Sequence, residues 1–439
     1  MKFLTKLRFV ASAWRPRFFG FFQGHTALTQ RELDSARALV GTETDTAIER
    51  AFENAFAQLA GGGEAVSFAS GRMAFYAALR ALGIGQGDEV LLTGFTCAVM
   101  ANAVWRTGAT ARYADIAEDT LGTCPQDVAR KINSRTRAIV VQHTFGLPCA
   151  IAAIAAIART RRIPLIEDCA LTLGSAFEGR VVGSWGDAAI FSTDHSKPLN
   201  TMTGGLLVTR DHQLAARVRE IQTAAPPLDL EHRRRLWRRL LSERARLSPR
   251  RYGRGRLLLK LAGARRKLRE HFTKREEFVF LEADFKPRLK TDSYPYPARL
   301  PVFLAQIGRF ELGRWPKTAA HRRSVLARLL QTASPELKQH FPSACTDSKC
   351  DVVPLRLAYT HPAAAEIERR MSGCVDVDYI WFREPLVCAT LGPASFGYQA
   401  GECPVAERVG SKIINWPCDV PEADVPALLE LFAKCHRGL

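Results

Sequence analysis

A lysine that follows a short apolar run is the residue best suited to covalent chemistry in this sequence. The run Ala188–Ser192 predicts a buried strand, and Lys197 stands five residues after Ser192. A lysine held in a partly desolvated site loses its proton easily, and its neutral amine can then form an imine with a carbonyl group. Because most lysines are solvated surface charges, Lys197 indicates such chemistry only together with the residues that accompany it.

Two further stretches supply partners for an anionic ligand that contains a ring. Gly71 and Arg72 open a predicted helix, where backbone N–H groups and a nearby guanidinium would bind a phosphate. Asp168 ends an apolar run, at the strand end where ligands of open α/β sheets bind, and its carboxylate would hold a protonated ring nitrogen. Helix capping is the plainer explanation of each feature alone. Together, a phosphate turn, a strand-end acid and then Ser192 and Lys197 within about 30 residues form the order expected for pyridoxal phosphate.

Strand and helix patterns alternate between about residues 46 and 222, and this alternation indicates how those residues are positioned. Short runs rich in Val, Ile and Leu predict strands at Val90–Thr93, Ala109–Asp115, Ala138–His143, Ile163–Asp168, Ala188–Ser192 and Gly205–Thr209. Apolar residues at helical spacing predict helices at Ala47–Leu59, Arg72–Leu82, Cys97–Arg106 and Ala150–Thr160. The alternation favours βαβ units and an α/β fold with a mostly parallel sheet flanked by helices.

The remainder of the chain differs in composition and predicts further parts. From about residue 293 the pattern suits an α+β domain, with helices at Phe303–Leu312, Lys317–Leu330 and Pro421–Cys435 and a strand at Val352–Leu355. We therefore divide the chain into four: a basic N-terminal segment (1–30), a large domain (31–222), a basic helical insertion (223–292) and a small C-terminal domain (293–439).

The charge of the chain is concentrated in the insertion. The 439 residues carry a formal charge of +18, and residues 231–275 hold 18 Lys and Arg against three acids. Three explanations stay open: solvated helices, a contact with anionic lipid, and a contact with nucleic acid. Nucleic acid is the least favoured of these, because only Trp237 and Tyr252 are available there to stack on bases. The composition, 47% hydrophobic with no apolar run of about 18 residues, excludes global disorder and a membrane-spanning helix.

Several other sequence features argue against competing classes of protein. The 11 cysteines include no CxxC pair, so we expect reduced thiols in a cytoplasmic protein rather than a zinc ribbon or a disulfide framework. His143 and His195 are too few and too far apart in sequence to predict a metal site. The glycine-rich turn Gly83–Gly87 precedes a strand, whereas a dinucleotide fingerprint follows one. Arginines interrupt the apolar start of the chain, so it is expected to stay on the protein as a basic, aromatic-rich segment.

Two long stretches carry a resemblance to a known family. SGRMAFYAALRALGIGQGDEVLLTGFTCAVMANAV and PLIEDCALTLGSAFEGRVVGSWGDAAIFSTDHSKPLNTMTGGLLVT resemble the DegT/DnrJ/EryC1/StrS sugar aminotransferases. The resemblance is strong over about residues 46–222 and weaker around Ala298–Leu312 and in the final helix. It implies a fold-type I pyridoxal-phosphate-dependent transferase, with a large domain of mostly parallel sheet and a smaller C-terminal α+β domain.

The resemblance also implies roles for single residues. Lys197 corresponds to the lysine that holds pyridoxal 5'-phosphate covalently, and Asp168 to the acid that keeps the ring nitrogen protonated. Ser192, Gly71 and Arg72 correspond to parts of the phosphate site. Arg299 matches an arginine that lies near the dimer interface in relatives, which build each site from two chains, so a homodimer is expected.

Four positions depart from the family pattern. Arg72 stands where a threonine is usual, Cys97 replaces the aromatic ring that stacks on the cofactor, and Leu171 replaces a residue that contacts the ring oxygen. Pro297 replaces an asparagine that reaches a neighbour's phosphate. These departures should weaken cofactor binding or change its tuning, although Arg72 would compensate at the phosphate.

The expected function is the transfer of an amino group from an amino acid, glutamate, to a keto-sugar on a nucleotide, for a cell-surface glycan or polysaccharide. The expected partners are therefore small molecules. Residues 231–275 are a candidate contact with the anionic inner face of the membrane. Because of Cys97, Leu171 and Pro297, two other functions stay open. One is a non-transaminating enzyme of the dehydratase type, and the other is a binding module that kept the fold.

Overall fold

The computed structural model describes residues 17–22, 24–273, 280–287 and 294–439, and its centre is a seven-stranded sheet. The sheet order is β1-β10-β9-β6-β5-β2-β4; β10 is antiparallel to both of its neighbours, and the remaining pairs are parallel. Its strands are β1 Glu64–Phe68, β2 Glu89–Thr93, β4 Thr110–Ala114, β5 Thr136–Gln142, β6 Leu165–Asp168, β9 Ala188–Ser192 and β10 Gly205–Thr209; the two-residue strands β3 Thr96–Cys97, β7 Ala176–Phe177 and β8 Arg180–Val181 lie outside it.

Helices connect these strands and cover the sheet, which confirms the predicted α/β class. They are α1 Gln30–Ala38, α2 Thr46–Leu59, α3 Gly71–Ala81, α4 Ala98–Trp105, α5 Pro125–Lys131, α6 Ile151–Arg161 and α7 His212–Ala224. The strands β2 and β10 are buried at every position. Such uninterrupted burial is typical of a sheet covered on both faces, and it explains why the strands appear in the sequence as apolar runs.

The C-terminal part contains helices around a two-stranded antiparallel ladder, β12–β14. Its elements are α10 Val302–Thr332, α11 Pro335–Lys338, β11 Cys350–Asp351, β12 Arg356–Thr360, α12 Ala364–Met371, β13 Leu386–Val387, α13 Pro404–Gly410, β14 Ile413–Pro417 and α14 Val425–His436. The predicted strand Val352–Leu355 is wrong. Its valines and Leu355 are buried, but Pro354 has no N–H to donate to a ladder, and the strands lie on either side.

The two helices predicted at Phe303–Leu312 and Lys317–Leu330 are one continuous helix, α10, of 31 residues. Pro316 lies inside it and removes one backbone hydrogen bond. The flanking side chains Leu312, Trp315 and Ala319 are buried, so packing on both sides of the proline holds the helix together.

The basic insertion contains two helices with different surroundings, α8 Leu230–Arg246 and α9 Tyr252–Thr273. In α8, Leu236 and Leu240 are buried, and the Trp237 ring meets Phe303 edge-on at 6.0 Å between centroids. Helix α8 is therefore packed on the body of the protein. In α9, by contrast, Leu258, Leu261 and Leu268 are between 50% and 58% exposed. Within the described residues, no helix is both long and apolar enough to cross a membrane.

The predicted N-terminal segment lies mostly outside the described residues, since residues 1–16 are not among them. The adjoining residues Phe18, Phe19, Phe21 and Phe22 are buried, and Phe19 bridges to Val375. The division of the chain into four parts stays a prediction.

Candidate functional site

One open cavity brings the predicted site residues together. Its wall includes every residue that the sequence placed in the site: Gly71, Arg72, Cys97, Asp168, Ser192 and Lys197. The cavity lies where β5, β6 and β9 end and where α3 begins, the position at which open α/β sheets bind their ligands.

The first turn of α3 approaches the sheet closely because two glycines face each other. A Cβ atom on Gly205 would lie 2.2 Å from the Cα of Gly71, and one on Gly71 would lie 3.1 Å from the Cβ of Ser192. Ser70 caps the helix, yet its hydroxyl is buried and meets no hydrogen-bond partner among the described residues. A helix N-terminus flanked by an unsatisfied hydroxyl and by Ser192 is suited to bind an anion.

Asp168 lies at the carboxyl end of β6 and is only 3% exposed. One of its oxygens accepts the N–H of Ala170 at 2.9 Å. Burial raises the pKa of Asp168, although the Ala170 N–H and the positive charge of Lys197 oppose that rise. A cationic group bound in the cavity would therefore stabilise the ionised form of the buried Asp168 carboxyl.

Lys197 belongs to a tight loop between β9 and β10, which fixes its backbone. Its N–H donates to the Asp194 carbonyl at 2.9 Å, and the Asp194 carboxylate accepts both the N–H and the hydroxyl of Ser196. The Lys197 Nζ atom lies 5.0 Å from the centre of the Trp381 ring. The amine is thus held against an aromatic surface at the wall of the cavity rather than extended into solvent.

The guanidinium of Arg72 is engaged away from a phosphate position. It pairs with Asp284, which is fully buried, and its Nη2 donates to the Phe280 carbonyl at 2.8 Å. Asp284 also accepts from Arg106 and from the Tyr294 hydroxyl. Because Asp284 and the Phe280 carbonyl engage the guanidinium, this geometry does not favour the expected contact between the Arg72 side chain and a phosphate. Its backbone N–H in the first turn of α3 remains available, and a role for Arg72 at a phosphate stays a prediction.

The positions that depart from the family pattern fall in different places. Cys97 and Leu171 both line the cavity, whereas Pro297 is not part of its wall. The sequence did not indicate three aromatic residues that also line it, Phe285, Trp381 and Phe382. They reach the cavity from distant parts of the chain, and no spacing in their own segments pointed to it.

A cluster of three buried residues, His143, Glu167 and Cys169, lies next to Asp168. Ligand atoms of His143, Glu167 and Cys169 lie within 4.8 Å of one another. The Glu167 carboxylate, however, accepts N–H groups of Gly183, Trp185 and Gly186 at 2.6–2.7 Å and meets His143 Nε2 at 3.0 Å. Burial raises the pKa of the Cys169 thiol, and the thiol form is a poor metal ligand. The Glu167 carboxylate is therefore occupied by hydrogen bonds that stabilise the fold, and we assign the cluster a structural role rather than a metal site.

Comparison with known proteins connects this arrangement to a family. The model of the DegT/DnrJ/EryC1/StrS aminotransferase family matches residues 30–250. The GDP-perosamine synthase of Escherichia coli O157:H7 is 38% identical over 163 residues, which are 37% of this chain and 45% of that protein. The spore coat polysaccharide biosynthesis protein SpsC of Bacillus subtilis (strain 168) is 39% identical over 168 residues, 38% of this chain and 43% of SpsC. The matched stretch thus spans less than half the length of these relatives.

The fold extends the likeness beyond that stretch. DesV of S. venezuelae superimposes with a TM-score of 0.70 over 96% of this chain and 99% of that chain, at 23% sequence identity. Similarity at this level of identity concerns the fold, and it confirms the fold-type I architecture. Since the family model covers half of the sequence, including the site residues from Gly71 to Lys197, the chain belongs to the DegT/DnrJ/EryC1/StrS aminotransferase family.

Proposed function

We propose that this chain binds pyridoxal phosphate in the cavity and moves an amino group from glutamate to a keto-sugar carried on a nucleotide. The product would serve a cell-surface glycan or polysaccharide. The observation that carries the proposal is the meeting of Lys197, Asp168 and the first turn of α3 in one cavity. The names of the relatives support the substrate class, since one is a GDP-perosamine synthase and another a polysaccharide biosynthesis protein.

The residues present fit the cofactor's phosphate. The unsatisfied Ser70 hydroxyl, the backbone N–H groups that begin α3 and the nearby Ser192 form an anion site without a lysine or an arginine head group. Gly71 and Gly205 let the first turn of α3 lie close to β10 and Ser192. The Arg72 side chain would support this turn from behind through Asp284.

The residues also fit the cofactor's ring. The buried Asp168 carboxylate would hold the proton at the pyridine nitrogen, and the raised pKa of Asp168 would fall again beside that cation. When bound, pyridoxal phosphate supplies an electron sink that stabilises negative charge at the substrate's α-carbon. Leu171 offers a buried apolar contact where relatives offer a hydrogen bond, which would leave the ring oxygen with fewer donors.

Lys197 would perform the proton transfers. Its Nζ atom would take a proton from the α-carbon of the amino acid in the first half of the reaction. In the second half it would return a proton to the sugar carbon that bears the new amino group. The Asp194–Ser196 turn fixes the lysine backbone, so only the side chain has to move. Trp381 would keep water from one side of the amine.

The first experiment tests whether Lys197 is the attachment point. The chain is incubated with pyridoxal phosphate, reduced with borohydride and digested, and the peptide that contains Lys197 should gain the mass of the reduced cofactor. Lys197→Ala should lose the label and all turnover with glutamate and a keto-sugar. Lys349→Ala, which removes an exposed lysine paired with Glu178, should keep both. Substantial transamination by Lys197→Ala would contradict the proposal.

The same sample distinguishes the two other functions left open by Cys97, Leu171 and Pro297. A bound cofactor whose absorption does not respond to glutamate or other amino donors would favour a non-transaminating enzyme. A chain that acquires no cofactor would favour a binding module of the same fold.

We also propose that two copies of the chain associate. The family resemblance places Arg299 near a dimer interface, and the Arg299 Nε atom is buried without a hydrogen-bond acceptor in the described part of the chain. Light scattering should give twice the mass of one chain, and the mass of a single chain would contradict the dimer.

A further proposal concerns helix α9, which we assign to the surface of an anionic membrane at its cytoplasmic face. Leu258, Leu261 and Leu268 fall within about 80° of arc on the helix, at 100° per residue, and are exposed. Arg254 and Arg265 fall within the same arc. An exposed apolar stripe interleaved with arginines is typical of helices that lie in the headgroup region of anionic lipid.

A further inference from the structure

Two cysteines from distant parts of the chain meet at the wall of the cavity. Cys97 ends β3 and caps the N-terminus of α4, and Cys388 directly follows β13. Strands β3 and β13 are paired in parallel, with Val387 opposite Cys97, so the pairing brings Cys388 next to Cys97. Both cysteines line the cavity that contains Lys197, where Cys97 is partly buried and Cys388 is exposed.

The two thiols are unlike in their chemistry. The neighbouring Cys388 thiol, aided by Lys197 and the Val99 N–H against the effect of burial, lowers the pKa of Cys97. The neighbouring Cys97 raises the pKa of Cys388. The position of Cys97 at the start of α4 adds the favourable field of a helix N-terminus. Cys97 is therefore the thiol that becomes a nucleophilic thiolate, and Cys388 is the thiol that supplies a proton.

Seven of the nine other thiols lack this combination because of their burial. Cys149, Cys169, Cys403, Cys418 and Cys435 are buried. Burial raises the pKa of Cys345 to about 12 and that of Cys350 to about 11. Cysteines that sense oxidants are typically accessible, have a low pKa and lie beside a second thiol, and Cys97 meets all three conditions.

We propose that Cys97 and Cys388 are a peroxide-sensitive pair whose disulfide narrows the cavity beside Lys197. In the first step the Cys97 thiolate attacks one oxygen of hydrogen peroxide, the O–O bond breaks, and the leaving hydroxide takes a proton to become water. In the second step the Cys388 sulfur attacks the sulfenic sulfur of Cys97, the S–O bond breaks, and a second water leaves. Two thiols and one peroxide thus give one disulfide and two waters, and a dithiol reverses the change.

The disulfide would alter the site because of where Cys97 stands. By the family resemblance, Cys97 occupies the position of the ring that stacks on the cofactor. A bond from Cys97 to Cys388 would hold this part of the cavity wall against the end of β13. This consequence rests on the proposed function, whereas the formation of the disulfide does not. The chemistry therefore predicts a chain that accepts pyridoxal phosphate when reduced and loses that capacity under peroxide.

The test is peptide mapping of the full-length chain after peroxide treatment and alkylation. We expect a linked peptide pair joining Cys97 and Cys388 and the loss of two of the eleven titratable thiols, with both changes reversed by dithiothreitol. Cys388→Ser should give no link and should accumulate a Cys97 sulfenic acid that dimedone labels. Cys124→Ser, a partly exposed cysteine away from the cavity, is the matched control and should link like the unaltered chain.

Two results would overturn the proposal. One is oxidation spread over other cysteines with no link between Cys97 and Cys388. The other is a linked chain that still takes up pyridoxal phosphate, measured by visible absorption, as readily as the reduced chain, which would refute the narrowing of the cavity. Failure of the reduced chain to bind the cofactor would count against the proposed function instead, and peptide mapping would still decide the fate of the thiol pair.

Discussion

Arg72 illustrates how one residue in a family turn can acquire a different task. A threonine at this position would offer a hydroxyl to a phosphate, whereas the Arg72 guanidinium reaches Asp284 and the Phe280 carbonyl. Asp284 is fully buried and has a lowered pKa, because Arg72, Tyr294 and Arg106 outweigh the cost of its burial. The arginine therefore ties the C-terminal end of the basic insertion to the first turn of α3.

A double-mutant cycle tests this task. Arg72→Gln and Asp284→Asn should each destabilise the protein by about 3 kcal/mol, because each leaves a buried charge without its main partner. The double variant should lose much less than the sum, with a coupling energy of about 2 kcal/mol in urea unfolding.

The exposed pair Arg408–Glu118, at 2.8 Å, is the matched control and should show little coupling in the same cycle. Additive losses of stability for the two variants, together with a loss of cofactor affinity in Arg72→Gln alone, would instead indicate that the Arg72 side chain contacts the phosphate.

At the residue scale, the sequence could indicate the members of the site that lie within one local pattern. Gly71, Asp168, Ser192 and Lys197 stand at fixed offsets from strand and helix ends, and the parallel sheet brings those ends to one edge. Trp381 and Cys388 reach the same cavity through long-range packing, and Asp284 reaches the Arg72 guanidinium in the same way. Nothing in their own neighbourhoods distinguishes them from ordinary loop residues, so sequence patterns did not reveal them.

At the scale of elements, the predicted strands of the central sheet are confirmed because burial on both faces requires continuous apolar runs. Strand β1 was missed, since its five residues include Glu64 and Ser67. It is held by a contact distant in sequence: the buried Glu53 carboxylate of α2 accepts both the N–H and the hydroxyl of Ser67 at 2.8 Å. The sequence likewise predicts two helices where α10 is continuous. The burial that stabilises the helix on both sides of Pro316 is not evident from the local sequence.

Helix α8 is joined to the loop that contains Lys197 by one acid, Glu243. Glu243 meets His195 at 3.0 Å, two residues before Lys197. Burial would raise the pKa of Glu243, but His195 and Arg239 hold it at about 2. An acid whose folded pKa lies below its unfolded value adds stability above the unfolded pKa and loses it as the pH falls.

Glu243→Gln should therefore show a pH-dependent loss of stability. With a folded pKa of about 2 against the usual 4.5, the deficit should be about 3 kcal/mol at pH 5.5 and about 1.5 kcal/mol at pH 3. Urea unfolding at both pH values measures it. Glu231→Gln, which changes an exposed acid of the same helix, should change the free energy of unfolding little at either pH. A deficit for Glu243→Gln that does not change with pH would contradict the ion pair.

At the scale of the whole molecule, the charge is strongly asymmetric. Residues 231–275 carry 18 of the 62 basic residues and only three of the 44 acids, so the rest of the chain is nearly neutral. Helix α8 uses its apolar side to pack on the body, whereas α9 presents leucines and arginines together to solvent. This arrangement gives the protein one basic, apolar face that an anionic bilayer complements in both respects.

Co-sedimentation with vesicles tests that face. The full chain should pellet with phosphatidylserine–phosphatidylcholine vesicles, much less with phosphatidylcholine alone, and less as salt rises. Changing Leu258, Leu261 and Leu268 together to Gln should weaken binding on the order of a hundredfold, from about 1 kcal/mol for each leucine withdrawn from lipid. Leu391→Gln, which changes an exposed leucine outside the basic segment, should bind like the unaltered chain. Equal binding by the triple variant, or tighter binding to DNA than to vesicles, would show that charge alone directs this face, because phosphate backbones attract arginines without any need for the leucines.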